Sequence, residues 1–391
     1  MKNPFTMNPN WQYLLYAYVL FAVGFFFPVW NKYHNHLYYF AILIPYVITL
    51  SRDRLRYLLQ SSIIRLAVVY IGMISASVLW ASPPEPHKLP KYLLVFIQLT
   101  AFIALTTELK LQTKSFQDTV IKAVLASAML WIPVTVIVFY HAHPWSGRLE
   151  GLERLQNPLA GATMYGMTAL LCLYVIVQKD RFEPFWRILA GVCGALCIVY
   201  IALTQSRSPV LALLAAGTLH AALLGYRNLL LIIFGTCLAA GLAFYLGIIS
   251  PDMVTSRGLS YRPEIWMQTL PTIMKHPWFG NGATFDQVYH LSSGLNFKSH
   301  THSALMASLV FVGIVGTGIL TGLIAQAVRY ARRAENHIAL SLLVYAIANL
   351  LINGYKLAGT PEIEWLYFWF PLALIAANEI KIRHPSTQDR V

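Results

Sequence analysis

Residues 250–316 read SPDMVTSRGLSYRPEIWMQTLPTIMKHPWFGNGATFDQVYHLSSGLNFKSHTHSALMASLVFVGIVG. From Ser250 to Thr301 the chain is polar, carrying Arg257, Arg262, Glu264, Lys275, Asp286, His290, Lys298 and His300, and at His302 it passes at once into a long apolar run. No other interval of the chain is polar for so long. A chain that otherwise reads as hydrocarbon-spanning helix has little reason to keep this much polar sequence on one side unless it meets a ligand there. The loop, and the helix start that closes it, therefore form the expected functional centre.

The flanking sequence sets the class. Hydrophobic residues make up 57% of the chain and charged residues 12%, with a mean hydropathy of +0.56. Soluble domains carry about 25% charged residues. Apolar runs of about twenty residues, the length that crosses about 30 Å of hydrocarbon, begin at Trp11, Leu37, Ile63, Leu89, Asp118, Pro158, Trp186, Pro209, Asn228, His302, His337 and Ile363. The expected fold is an all-α integral membrane protein of about twelve transmembrane helices. Residues 1–391 form one polytopic domain, and residues 250–301 form a large, partly helical loop within it. The first apolar run is too long for a signal h-region and no small-x-small site follows it, so it is expected to stay as the first span. Cys172, Cys193, Cys197 and Cys237 lie inside apolar runs and read as small packing residues.

The net charge of +13 does not call for nucleic acid. In a membrane protein, basic residues mark cytoplasmic loops and anionic headgroups. With both termini cytoplasmic, the larger share of the 29 Lys and Arg residues falls on the inside. The outside positives concentrate in the 250–301 loop, in His141–Asn157 with Arg148 and Arg154, and at Arg207 between two apolar runs. Basic groups on the disfavoured side point to an anionic ligand at the outer face. For Lys32, Lys88 and Lys91, anchoring to lipid phosphate is the simpler reading.

Within the loop, Arg262–His276 places Ile265, Trp266, Leu270, Ile273 and Met274 near helical spacing, which predicts an interfacial amphipathic helix kinked at Pro271. Trp278-Phe279-Gly280-Asn281-Gly282 predicts an aromatic-anchored turn. At Ser206-Arg207-Ser208-Pro209, Pro209 suits the first helical position and Ser208 the cap, so Arg207 is expected just before a helix N-terminus. Two readings stand for it: a fork for phosphate oxygens beside a positive helix end, or an arginine snorkelling to headgroups. Thr301 or Ser299 is expected to cap the next helix, which puts His302 in or beside its first turn, where the dipole disfavours imidazolium. A neutral imidazole there can accept a proton; a solvated interfacial histidine is the plain alternative. His300 and His302 with Asp286 or His290 form only a weak zinc pattern. No P-loop and no dinucleotide fingerprint is present.

The motifs resemble those of the bacterial O-antigen ligases, within the wider group of ligases, polymerases and related oligosaccharyltransferases. His302-Ser303, nine residues, then Gly313-Ile314-Val315-Gly316 fits H-[NSQ]-x9-G-x-x-[GTY]. Arg207-Ser208-Pro209-Val210-Leu211 fits R-x3-L, and Arg262–Trp266 followed by His276–Gly282 is similar to the family's arginine- and glycine-rich segment. The resemblance implies a GT-C-like architecture and a site at the periplasmic face of the inner membrane. It implies transfer of glycan from undecaprenyl-diphosphate-linked O-antigen to lipid A–core, without metal, ATP or other cofactor. It casts His302 as the base and Arg207 and Arg262 as the diphosphate grip; Arg257, His300, Arg148, Arg154 and Lys298, basic groups of the same outer stretches, are the candidate supporting residues. Arg257 and Arg262 compete for the loop-arginine role, and Arg262 is favoured by the x3-Trp spacing. An O-antigen polymerase would share the donor, but its R-x10-G motif is not met by Arg257 or Arg262. A protein O-oligosaccharyltransferase would carry a larger segment after the last span. A lipid or glycan transporter would place charge at mid-membrane, whereas here the span interiors are nearly uncharged.

Overall fold

The computed structural model describes residues 10–228, 230–231, 234–235, 261–290, 296–354 and 356–384. The chain is a helical bundle. The first part comprises α1 (Asn10–Gly24), a run of α2 (Asn31–Leu37), a π-turn (Tyr38–Leu43) and α3 (Ile44–Thr49), then α4 (Arg52–Leu58), α5 (Ser62–Ala76), α6 (Leu89–Gln112) and α7 (Phe116–Ala142). After these come α8 (Pro158–Val177), α9 (Pro184–Thr204), α10 (Arg207–Leu223) and α11 (Arg262–Lys275). A hairpin of β1 (Gln287–His290) and β2 (Asn296–Ser299) leads to α12 (Ala304–Arg333) and α13 (His337–Ile352), and the last helix enters through a π-turn (Trp365–Trp369) into α14 (Phe370–Arg383). Among the described residues, six helices are long and apolar enough to cross a membrane, and three shorter apolar helices accompany them. This is a multi-pass membrane protein. The expected span from Asn228 falls largely outside the described residues, as do Arg257 and Cys237.

In hydrocarbon the backbone must bond to itself, so apolar runs become helices. Those helices associate where small residues admit a neighbour. On α8, a Cβ at Gly161 would stand 2.6 Å from the Tyr200 hydroxyl of α9. Gly166 likewise faces the Tyr345 hydroxyl of α13, which donates to the Thr163 carbonyl at 2.7 Å. Cys172, Cys193 and Cys197 are buried free thiols, as packing residues should be.

Connections alternate between two ends. At one end, buried Glu379 of α14 accepts from Ser62 N (2.8 Å) and Ile63 N (3.1 Å) at the start of α5, and Arg54 pairs with buried Glu108. At the other end, Trp80 Nε1 donates to the Phe279 carbonyl (3.0 Å), and the Tyr92 hydroxyl donates to the Ala283 carbonyl (2.9 Å) while accepting from Lys356 Nζ (3.1 Å). The described part of the polar loop, residues 261–290 and 296–301, therefore sits at a single end with the connections around 80–92, 143–157 and 204–208 and the described residues of 353–364.

The loop is ordered through α11, which runs uninterrupted through Pro271. The β-hairpin was not expected from sequence. Its four-residue strands are too short to stand alone, and α11 supplies what they lack: Gln268 Oε1 accepts from His290 N (3.0 Å), its Nε2 donates to the His290 carbonyl (2.6 Å), and Gln287 Nε2 donates to the Gln268 carbonyl (2.9 Å).

The helix that follows is broken at Gly313 (φ 61, ψ −162). An unbroken helix would join Ile314 N to the Val310 carbonyl and Val315 N to the Phe311 carbonyl. Instead, the turn at 277–282 enters the break. Ile314 N and Val315 N donate to the Pro277 (2.8 Å) and Trp278 (3.2 Å) carbonyls, while Asn281 N and Gly282 N donate to Val310 (2.6 Å) and Phe311 (3.0 Å). Each helical bond lost across the break is replaced by one bond on each side of the turn. Gly280 (φ 70) lies against this backbone, where a Cβ would come within 2.6 Å of Val312 N.

Candidate active site

Three segments converge beside the start of α12. The first is residues 300–303. Ser303, rather than Thr301 or Ser299, caps α12, its Oγ accepting from Met306 N at 3.4 Å. The choice among these hydroxyls follows from the backbone before the cap: His302 has φ 52, and its N–H donates to His300 Nδ1 at 3.2 Å. Thr301 is already engaged, with its Oγ1 donating to the Ser303 carbonyl (2.8 Å) and its carbonyl accepting from Trp266 Nε1 (2.8 Å). Of the two expected places, in or beside the first turn, His302 takes the second, one residue before the cap. A non-glycine residue in the left-handed region costs about 1–2 kcal/mol, and such strain concentrates at functional sites.

The rings of His300 and His302 lie 4.0 Å apart. Burial first, then the neighbouring His300 and Arg262, push the His302 imidazole down to about 4. It is neutral at pH 7 and free to accept a proton. Burial also lowers His300, whose Nδ1 must be unprotonated to accept the His302 N–H. Among the described residues no third His, Cys, Asp or Glu joins these two in a metal-binding group.

The second segment is the turn between α9 and α10. Gln205 takes a left-handed conformation (φ 51) and ends α9, so α10 starts immediately. Arg207 is the first residue of α10 itself, with Ser206 preceding it and Pro209 inside the first turn. This corrects the expectation that Ser208 caps and Pro209 opens the helix. Proline is tolerated throughout a first turn because those N–H groups have no intrahelical acceptor. The Ser206 hydroxyl makes no cap; it accepts from Arg148 Nη2 at 3.1 Å, while Arg148 Nε donates to the Thr204 carbonyl at 2.7 Å. Arg148 thus braces the turn that presents Arg207. Arg207 is exposed, and among the described residues no hydrogen bond or ion pair engages its guanidinium.

The third segment was not foreseen. Arg262 Nη2 donates to Asn353 Oδ1 at 2.5 Å, and Asn353 Nδ2 donates to Ser208 Oγ at 2.5 Å. Asn353 is buried at 6% exposure, and a Cβ on the following Gly354 (φ 99) would stand 3.5 Å from Ala304 Cβ at the head of α12. One amide therefore ties Arg262 to the residue after Arg207, next to the helix start that His302 precedes.

The remaining expected groups are scattered. Arg154 is buried away from this cluster: it donates to the Pro361 carbonyl, lies 4.0 Å from Glu362 and packs 5.0 Å from the Phe25 ring centroid. Lys298 lies on β2 opposite Val288. Arg257 is outside the described residues. Asp286 and His290, named with the zinc pattern, lie on or beside β1.

The arrangement sets a neutral imidazole near the Arg262 guanidinium, with Arg207 opening a helix that the same amide ties in through Ser208, which suits proton abstraction from a hydroxyl beside an anionic leaving group. The O-antigen ligase family model matches residues 192–321, which include Arg207, Arg262, His302 and the broken helix at Gly313. An O-antigen ligase of Pseudomonas aeruginosa is 30% identical over 370 residues, covering 92% of this chain and 88% of that protein.

Proposed function

This chain belongs to the O-antigen ligase family, and on that premise we propose that it transfers O-antigen glycan from undecaprenyl diphosphate to a sugar hydroxyl of lipid A–core. The reaction takes place at the periplasmic face of the inner membrane, in a GT-C-like bundle of about twelve spans with both termini cytoplasmic. The observation that carries the reading is the Arg262–Asn353–Ser208 bridge, which holds two phosphate-binding arginines in one frame beside a neutral histidine.

His302 takes the proton of the acceptor hydroxyl. The freed oxygen forms a bond to the anomeric carbon of the donor. The bond from that carbon to the diphosphate oxygen breaks, and the electron pair leaves with undecaprenyl diphosphate. Arg207 and Arg262 stabilise the charge that develops there, the kind of stabilisation that commonly supplies much of an enzyme's rate. His300 keeps the His302 backbone in its left-handed turn. Arg148 holds the turn beneath Arg207.

The test is a reconstituted transfer assay, with chelator present, in which purified protein meets the lipid-linked glycan with and without lipid A–core. Glycan should appear on lipid A–core with wild type and not with a membrane-inserted His302→Ala variant. Elongated lipid-linked glycan in the absence of lipid A–core would replace this reading with that of a polymerase. Retained transfer by His302→Ala would remove the histidine from the mechanism.

A further inference from the structure

A reaction between two membrane lipids needs a place for each, and the proposed donor site accounts for one. The C-terminal end of α11 carries a second feature that the mechanism does not use. A cleft of about 730 Å³ opens between Trp80 and the turn at 277–282, a size within the ordinary range of small-ligand sites. Its apolar wall is exposed: Trp278 is 64% accessible, Phe279 57% and Trp80 40%. Its rim carries the exposed basic residues Lys275 and His276. Trp80 Nε1 donates to the Phe279 carbonyl at 3.0 Å, so the two sides of the cleft are fixed to each other.

Depth separates this cleft from an ordinary surface groove. The turn that forms it is seated in the break of α12 at Gly313, roughly 14 Å below the start of that helix at 1.5 Å per residue. The wall is built of exposed aromatics, the side chains that concentrate at a hydrocarbon margin, and Lys275 and His276 adjoin it at the end of α11. Distance separates it from the donor grip. Arg262 opens α11 and Lys275 closes it, and 14 residues of helix span roughly 20 Å. A diphosphate held at Arg207 and Arg262 cannot also reach Lys275. A polyprenyl tail has no charge for Lys275 to meet.

We infer that this cleft docks the acceptor, a phosphorylated acyl glycolipid whose chains lie against Trp80, Trp278 and Phe279 and whose phosphate meets Lys275. The inference rests on the proposed ligase reading. It also gives the separation along α11 a purpose: Trp266, which holds Thr301 beside His302, stands roughly 14 Å of helix from Lys275, and the oligosaccharide between the lipid phosphate and the accepting hydroxyl spans that separation.

The experiment places p-benzoylphenylalanine at Phe279 in the full chain, in phosphatidylcholine vesicles containing a small fraction of lipid A–core and no donor. Photolysis should label lipid A–core well above its mole fraction, and the His302→Ala background should label equally. Lys275→Glu should lower that labelling and raise the acceptor KM about tenfold or more, with the donor KM unchanged, as expected for reversing one charge at an anionic headgroup. Labelling in proportion to bulk phosphatidylcholine, labelling of added undecaprenyl diphosphate instead, or indifference to Lys275→Glu would each overturn the inference. Enriched labelling by a wild-type protein that transfers nothing would sink the ligase reading and leave the lipid cleft standing. Transfer without enriched labelling would do the reverse.

Discussion

If Arg262 is held for a donor diphosphate by Asn353, the two residues must act as one unit. Asn353→Leu keeps the side-chain size, so its cavity cost is small, but it removes the acceptor for Arg262 Nη2 and the donor to Ser208 Oγ, both at 2.5 Å. A hydrogen bond to a charged group contributes about 1.5–3 kcal/mol, which is about a 10- to 150-fold change in rate. The predicted loss in donor kcat/KM for Asn353→Leu lies in that range, with the acceptor KM unchanged. Arg262→Ala should lose at least as much. The double variant should fall well short of the product of the two losses, because without Arg262 the only bond of the bridge left to Asn353 is the one to Ser208. The assay is a double-mutant cycle on donor kcat/KM in proteoliposomes, with thermal melting of each variant recorded alongside. Losses that multiply to within about twofold would mean independent sites and would refute the positioning role. A purely structural Asn353 would give that additive result, lowering the melting midpoint by the same amount in both backgrounds.

The other expectations are more direct. With the His302 imidazole pushed down to about 4, kcat/KM should stay level from pH 8 to about pH 5.5 and then fall as protonation removes the base, whereas an unperturbed histidine near 6.5 would already have lost about 90% of its neutral form at pH 5.5; a pH–rate midpoint near 6.5 would contradict the buried-base assignment. Arg207→Lys keeps the charge but loses the fork, so transfer should drop about tenfold or more, and wild-type turnover in the transfer assay would return Arg207 to a headgroup-anchoring role. Gly313→Val forces a β-branched residue to a positive φ against the Trp278 backbone, costing at least about 2 kcal/mol, and should appear as a lowered melting midpoint together with lost transfer.

What could be read from the residues followed from how local each cause is. Spans follow from runs of apolar side chains, and α11 from the spacing of Ile265, Trp266, Ile273 and their neighbours. Arg207, Arg262 and His302 stood out because charge and imidazole are costly at a membrane surface without a purpose. The cap of α12 was misplaced because three hydroxyls stand within five residues, and the choice among them is made by the bond between His302 N and His300 Nδ1. The start of α10 shifted because the left-handed turn at Gln205 left no room for a longer connection. Asn353 gave no local signal at all. It is one amide at the end of an apolar helix, and its partners lie 91 and 145 positions away in the chain.

Gly313 shows the same limit from the other side. The motif places two glycines beyond the histidine, and helical propensity alone would count them as a weakness. The structure turns that weakness into an opening for the turn at 277–282. Because Ile314 N and Val315 N bond to the turn and not to their own helix, residues 277–282 are built into the backbone ladder between Ala304–Val312 and the lower part of α12, which a Thr317–Ser308 hydroxyl bond (3.1 Å) also joins. That turn is the direct continuation of α11, whose first residue is Arg262 and whose Trp266 holds the Thr301 carbonyl. His302 and Arg262 are thus attached to one closed circuit: α11, the turn, the head of α12, and back through Thr301 to α11. The described part of the polar loop has only a small core of its own, Ile265 and Tyr289 with Trp266 against them. The broken helix anchors its backbone at residues 277–282, and Gly313 is what that arrangement requires.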